Sequence, residues 1–190
     1  MELHDETYYI DRVKGGDKEA FAWLVDQYRD MIYTVCLRML GSDADAEEAA
    51  QDAFVKAYRS LASFQGRSKF STWIYRIAYN QCISLIRKRV KMIDLVDEVP
   101  EGEISEGDLS GLDALSAEER SKYLHMAIEA LPETDSVVIT LFYYEELSLE
   151  EIAEITGLTS SNIRIKLHRS RKKMYHVINN CLKSEVSSIL

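Results

Sequence analysis

With 190 residues, 46% of them hydrophobic, the chain is long enough for one large or two small domains and apolar enough to build cores. No run of about 18 apolar residues offers a bilayer span. The first residues, Met-Glu-Leu-His-Asp-Glu, lack the basic-then-apolar order of a signal peptide, so a cytoplasmic protein is expected. Cys36, Cys82 and Cys181 are odd in number, far apart in sequence and without metal-ligand spacing, which argues against a disulfide scaffold and predicts reduced, partly buried thiols.

Two prolines, eight glycines and the lack of Val/Ile alternation predict helix nearly throughout, an all-α fold. The net charge of −9 argues against a nucleic-acid binder only as an average. Divided along the chain, residues 1–66 carry −6, 67–91 carry +7, 92–121 carry −9, 122–158 carry −7 and 159–190 carry +6. A phosphate senses the charge within a Debye length of about 10 Å, so the two basic blocks are what matter.

The first expected helix starts after Gly16, with Asp17 as its N-cap and Phe21, Leu24, Val25 and Tyr28 as its buried stripe. Beyond Arg29-Asp30 the apolar series resumes with Ile32, Val35, Cys36 and Met39 and stops at Gly41. Ser42 or Asp43 caps a helix over 44–61, buried through Ala46, Ala50, Ala53, Phe54, Ala57 and Leu61. Its exposed side carries Asp45, Glu48, Gln51 and Asp52. Bundle di-metal sites need Glu-x-x-His, and none of His4, His125, His168 and His176 has a Glu three residues earlier. The expectation is therefore no metal, no cofactor and no carboxylate catalysis; the acidic face is solvated surface or a dock for a basic partner.

The stretch 64–73 joins a glycine loop to basic and aromatic residues, the composition that unpaired nucleic acid requires. Phe64, Gln65, Gly66, Arg67, Ser68 and Lys69 are candidate contacts, whereas Trp73 and Ile77 read as core of the helix that follows. That helix runs from Ser71 through Arg76 and Asn80 to a basic end at Arg87, Lys88 and Arg89, placed for phosphates. Over 92–117 periodicity fails, Pro100, Gly102, Gly107 and Gly111 intervene, and acidic residues dominate; this reads as a flexible linker. Helix restarts at Ser116 with Tyr123, Leu124, Ala127, Ile128 and Leu131 inward. Pro132 ends it or begins the next, whose core is Val137, Val138, Leu141 and Phe142.

Ser148 and Glu151 have capping-box spacing, Ile152, Ala153 and Ile155 follow, and Gly157 supplies a sharp turn. Thr159 or Ser160 then caps a second helix, apolar along Ile163, Leu167, Ser170, Met174 and Ile178 and basic along Arg164, Lys166, His168, Arg169, Arg171 and Lys172. That is the form of a DNA-reading helix-turn-helix, whose second helix enters the major groove; a solvated basic helix is the plainer alternative. Beyond Met174 the chain reads as a helical extension that frays.

In order and spacing, these features resemble bacterial RNA polymerase sigma factors of the extracytoplasmic-function group. In the first half the resemblance rests on Gly16-Asp17, Ala20-Phe21, Asp45-Ala46-Glu47-Glu48, Gln51-Asp52 and 72–78 with Asn80; in the second, on Leu131-Pro132, 148–153, Gly157 and 166–173. It implies three segments: 1–91 as region 2, an acidic linker over 92–117, and 118–190 as region 4. Asp45, Glu48, Gln51 and Asp52 would dock on the clamp helices of the polymerase β′ subunit. Residues 64–69 with Arg76, Asn80, Arg87 and Lys88 would capture a flipped minus-10 base and hold the strand melted. Thr159, Ser160, Ser161, Asn162, Arg164, Ile165, Lys166, His168, Arg169, Arg171 and Lys172 would read the minus-35 duplex. Further implied partners are the polymerase β flap and an anti-sigma factor, with a monomer when free and no enzymatic activity. Ser84 stands where the group commonly has Asp, and Ile165 takes an outward position often held by a polar residue, either touching a thymine methyl or packing on the neighbouring helix. The rival readings are a dimeric helix-turn-helix repressor or activator and a carboxylate-metal enzyme.

Overall fold

The computed structural model describes residues 6–90 and 116–189; within them the chain forms eight α-helices and no strand. The helices fall into two units. The first holds α1 (Glu6–Lys14), α2 (Lys18–Leu40), α3 (Asp43–Ser60), a single 3₁₀ turn (Leu61–Ser63) and α4 (Phe70–Val90). The second half of the chain holds α5 (Ala117–Glu129), α6 (Glu133–Tyr143), α7 (Leu149–Thr156) and α8 (Ser160–Ile189). The acidic linker expected at 92–117 lies outside the described residues up to 115, and its last residue, Ala117, is already the first of α5.

Local signals set the ends of the first unit's helices. The Asp17 carboxylate accepts from the amides of Glu19 at 2.9 Å and Ala20 at 3.2 Å, satisfying donors that a helix start leaves orphaned. Gly41, at φ +66°, closes α2 by donating to the Leu37 carbonyl at 2.9 Å. Ser42 rather than Asp43 caps α3, its hydroxyl facing the Asp45 amide. The two apolar series on either side of Arg29-Asp30 belong to one continuous helix, α2.

α2 is the hub, packing on α1, α3 and α4, while α3 also packs on α4. The inward side of α3 is Ala46, Ala49, Ala50, Ala53 and Ala57, whose small side chains let neighbouring backbones approach. Leu24, Ile32 and Val35 from α2 and Ile74 and Tyr75 from α4 fill the space. Cys36 and Cys82, remote in sequence, meet there fully buried, and the neighbouring thiol together with burial pushes Cys36 well above the ordinary thiol range. The same contact moves Cys82 the other way, and both thiols are shut off from solvent in the core.

Helix α1 has no counterpart in the sequence reading. Ile10 and Val13 are buried, Tyr9 stacks on Trp23 with ring centroids 4.0 Å apart, and the Tyr28 hydroxyl donates to the Glu6 carboxylate. Nine residues with two deeply buried positions make a weak periodic signal. The available cues were the three-residue spacing of Ile10 and Val13 and the Gly15-Gly16 stop.

In the second half, Ser116 and Glu119 form a reciprocal capping box at the start of α5. Pro132 begins α6, its fixed φ suited to a helix entry and its carbonyl accepting from the Ser136 amide at 2.9 Å. α5 and α6 both pack on α8. Two expectations are corrected. Leu124 is 39% exposed rather than core, because α5 is covered along the side that carries Tyr123, Ala127 and Ile128. The segment beyond Met174 does not simply fray: α8 continues, and Met174, Val177, Cys181 and Leu182 pack with Ile178 against Tyr123 and Ala127. Their three- and four-residue steps prolong the stripe that begins at Ile163.

Candidate nucleic-acid and polymerase surfaces

The loop between the 3₁₀ turn and α4 is shaped from within. The Phe64 amide donates to the Leu61 carbonyl at 3.0 Å, Gly66 adopts φ +66°, and α4 starts at Phe70. Phe64, one of the six candidate contacts, is turned inward. It is only 8% exposed, its ring packs on Phe70 and Trp73 at centroid distances of 5.7 and 5.2 Å, and Lys14 donates to its carbonyl at 2.7 Å. Phe64 therefore supports the loop. Gln65, Gly66, Arg67 and Lys69 are exposed and Ser68 is half-buried. Trp73 and Ile77 are half-buried, in keeping with support of the core.

Along α4, Arg76, Asn80, Ser84, Arg87 and Lys88 are all exposed. Their spacing of four, four and three residues puts Arg76, Asn80, Ser84 and Arg87 on one side of the helix. Ser84 donates to the Asn80 carbonyl at 2.8 Å, a bond within its own helix.

On α3, Glu48, Gln51 and Asp52 are exposed and Asp45 is half-buried. Asp52 is held rather than loose: Gln81 of α4 donates to its carboxylate at 2.9 Å, and Lys56 donates to the Gln81 side-chain oxygen at 2.9 Å. Two apolar side chains on α3 were missed by sequence reasoning, Val55 at 47% exposed and Tyr58 at 39%. The signal was Val55 falling on the polar side of the pattern.

The helix-turn-helix is locally determined. Glu151 donates its amide to the Ser148 hydroxyl at 3.2 Å and accepts the Ser148 amide at 2.9 Å, completing the capping box. Gly157, at φ +75°, ends α7 with its amide on the Ala153 carbonyl at 2.9 Å. Thr159 rather than Ser160 caps α8, accepting from the Asn162 amide at 3.2 Å. Ile163, Leu167, Ser170 and Ile178 are buried and Met174 is half-buried. Thr159, Ser161, Asn162, Arg164, His168, Arg169 and Arg171 are exposed, whereas Ser160 and Lys172 are half-buried. Ile165 is 49% exposed, so about half of its surface is open to a partner. Lys166 is the exception on the basic side: half-buried, its ammonium pairs with Asp135 of α6, so its charge is already answered within the fold. The Arg171 guanidinium lies 5.9 Å from the Tyr143 ring centroid.

Among the described residues, no group of three or more His, Cys, Asp and Glu side chains is arranged to hold a metal ion, and no helix is long and apolar enough to cross a membrane. The described residues present two basic surfaces, on α4 with the loop before it and on α8, and an acidic face on α3.

Comparison with known proteins gives these surfaces a context. The family model for sigma-70 region 2 matches residues 24–92, and that for sigma-70 region 4 matches residues 121–174. The chain is 41% identical over 173 residues to the ECF RNA polymerase sigma factor SigW of Bacillus subtilis, covering 87% of this chain and 92% of that protein. It is 34% identical over 170 residues to the ECF RNA polymerase sigma-E factor of Escherichia coli K12, covering 86% and 88% respectively. Among solved structures, CnrH in complex with the cytosolic domain of CnrY shares the fold at a TM-score of 0.62 and 20% identity, with 91% of this chain and 96% of that chain covered.

Proposed function

The chain belongs to the sigma-70 family of bacterial RNA polymerase sigma factors, in its extracytoplasmic-function group, and from that membership we propose a division of the promoter between its two helical parts. As a promoter-specificity subunit, the protein binds core RNA polymerase and directs transcription initiation. Residues 1–91 act as region 2, 118–190 as region 4, and the acidic segment between them as the tether. Asp45, Glu48, Gln51 and Asp52 dock on the β′ clamp helices. The exposed residues of the 64–69 loop, with Arg76, Asn80, Arg87 and Lys88, take the melted minus-10 strand. The exposed side of α8 from Thr159 to Arg171 reads the minus-35 duplex, with Lys172 beside it and Lys166 bracing α8 against α6.

One observation carries this reading: the first turns of α8 expose Ser161, Asn162 and Arg164, followed by His168, Arg169 and Arg171, opposite a continuous buried stripe. Side chains of these types reach base edges and phosphates when a helix lies in the major groove. The β flap is the second polymerase contact, an anti-sigma factor is the regulator, and the free protein is a cytoplasmic monomer without enzymatic activity. Run-off transcription with purified core polymerase on fragmented genomic DNA tests the reading. New discrete transcripts that depend on the protein are expected, and their aligned start regions yield both promoter elements. If none arise while the protein alone footprints duplex DNA, a polymerase-independent repressor or activator takes the place of this reading.

The free chain should bind duplex DNA weakly. Its +6 block at 159–190 directly follows the −7 of residues 122–158, and phosphate attraction falls steeply with salt. Fluorescence anisotropy at physiological salt should give no tight binding of a minus-35 duplex without core polymerase. Submicromolar affinity under those conditions would contradict the charge argument.

A further inference from the structure

Helix α1 lies ahead of the residues matched to region 2, yet it forms one wall of a cavity of about 400 Å³ beneath the 64–70 loop. Glu6, Asp11 and Lys14 face Gln65, Ser68 and Lys69 across it, and Ile10 and Phe70 give it an apolar side. The size falls within the range of small-ligand sites. We propose that α1 is a working part of the minus-10 site, with Lys14 positioning the capture loop and Asp11 selecting the base that enters.

The two roles follow from the bonds on that wall. Lys14 reaches fifty residues along the chain to the Phe64 carbonyl at 2.7 Å, and its ammonium lies 5.6 Å from the Phe64 ring centroid. One side chain thus fixes the residue on which the loop turns. Glu6 is committed to the Tyr28 hydroxyl and Lys14 to Phe64, which leaves Asp11 as the uncommitted charged group contributed by α1. A carboxylate accepts hydrogen bonds and donates none. It repels a phosphate and favours a base bearing an exocyclic amine, adenine, cytosine or guanine, over thymine, whose corresponding positions are carbonyls. An unpaired base against an apolar side and a carboxylate is the occupant that this mixed lining fits.

This inference rests on the reading that the loop captures an unpaired minus-10 base, and its test separates the two. Holoenzyme is assembled from core polymerase and the full chain, and heparin-resistant open complexes are measured on promoter templates carrying each of the four bases at the captured position. Lys14→Met is expected to lower opening about tenfold, the loss of a charge-assisted hydrogen bond, with core affinity and the minus-35 footprint unchanged. Lys14→Arg should recover most of it, which a general loss of folding would not allow. Asp11→Asn should reduce the preference for amine-bearing bases over thymine. Wild-type opening by Lys14→Met, or an unchanged base order in Asp11→Asn, overturns the inference and leaves promoter recognition standing. A wild-type protein that opens no promoter removes both.

Discussion

Asp52→Lys is expected to weaken association with core polymerase about thirtyfold while leaving the helical fold intact. The carboxylate is exposed on α3 and oriented by Gln81, which is itself held by Lys56. A face so prepared, beside Glu48 and Gln51, suits a basic partner. Truncating one member of an interfacial charge pair costs about 2–5 kcal/mol, and 1.4 kcal/mol is a factor of ten in affinity; the lower bound, about 2 kcal/mol, gives the thirtyfold figure. Folding should hardly respond, because exposed substitutions usually stay within about 0.5 kcal/mol. Competition for core polymerase against a labelled wild-type chain, with circular dichroism alongside, measures both. Unchanged competition would remove Asp52 from the docking surface.

The second large effect lies at the far end of the chain. Ile178→Ala should destabilise the second helical unit by about 2–5 kcal/mol, the usual range for emptying a buried aliphatic site. Ile178 is 4% exposed and sits with Tyr123, Ala127, Met174 and Leu182 where α8 crosses α5. Total stabilities of small domains are about 5–15 kcal/mol, so the fraction lost is large. The minus-35 reading should fail with it, since the α8 face depends on the packing behind it. Urea unfolding followed by circular dichroism checks the effect; a change below about 0.5 kcal/mol would mean that α8 beyond Met174 is not packed in solution.

What could be read from the sequence was mainly what is decided within four or five residues. Asp17, Ser148 and Gly157 do what their types and spacings require, because a cap or a left-handed turn is a local bargain between a side chain and the nearest amides. The stripe on α8 was legible through Ile163 and Leu167 for the same reason. Contacts remote in sequence were not. Nothing near Phe64 indicates that Lys14 will hold its carbonyl and Phe70 will turn its ring inward, and nothing in the basic run distinguishes Lys166 from its neighbours until Asp135 is found beside it. The meeting of Cys36 with Cys82 needs the α2–α4 packing to exist first. The tail beyond Met174 was read only in part: Ile178 was placed on the apolar side, but the partner that it packs against, α5, lies some fifty residues earlier.

The chain's two tryptophans both lie in the first unit, with consequences for optical work. Trp23 is stacked face to face on Tyr9, and Trp73 leans on Phe64 at the root of the 64–69 loop. Intrinsic indole emission therefore reports on the first unit alone. A change in the Trp73 component would be a label-free signal that the proposed strand capture has occurred, and the second unit, which has tyrosines and no indole, stays dark in the same spectrum.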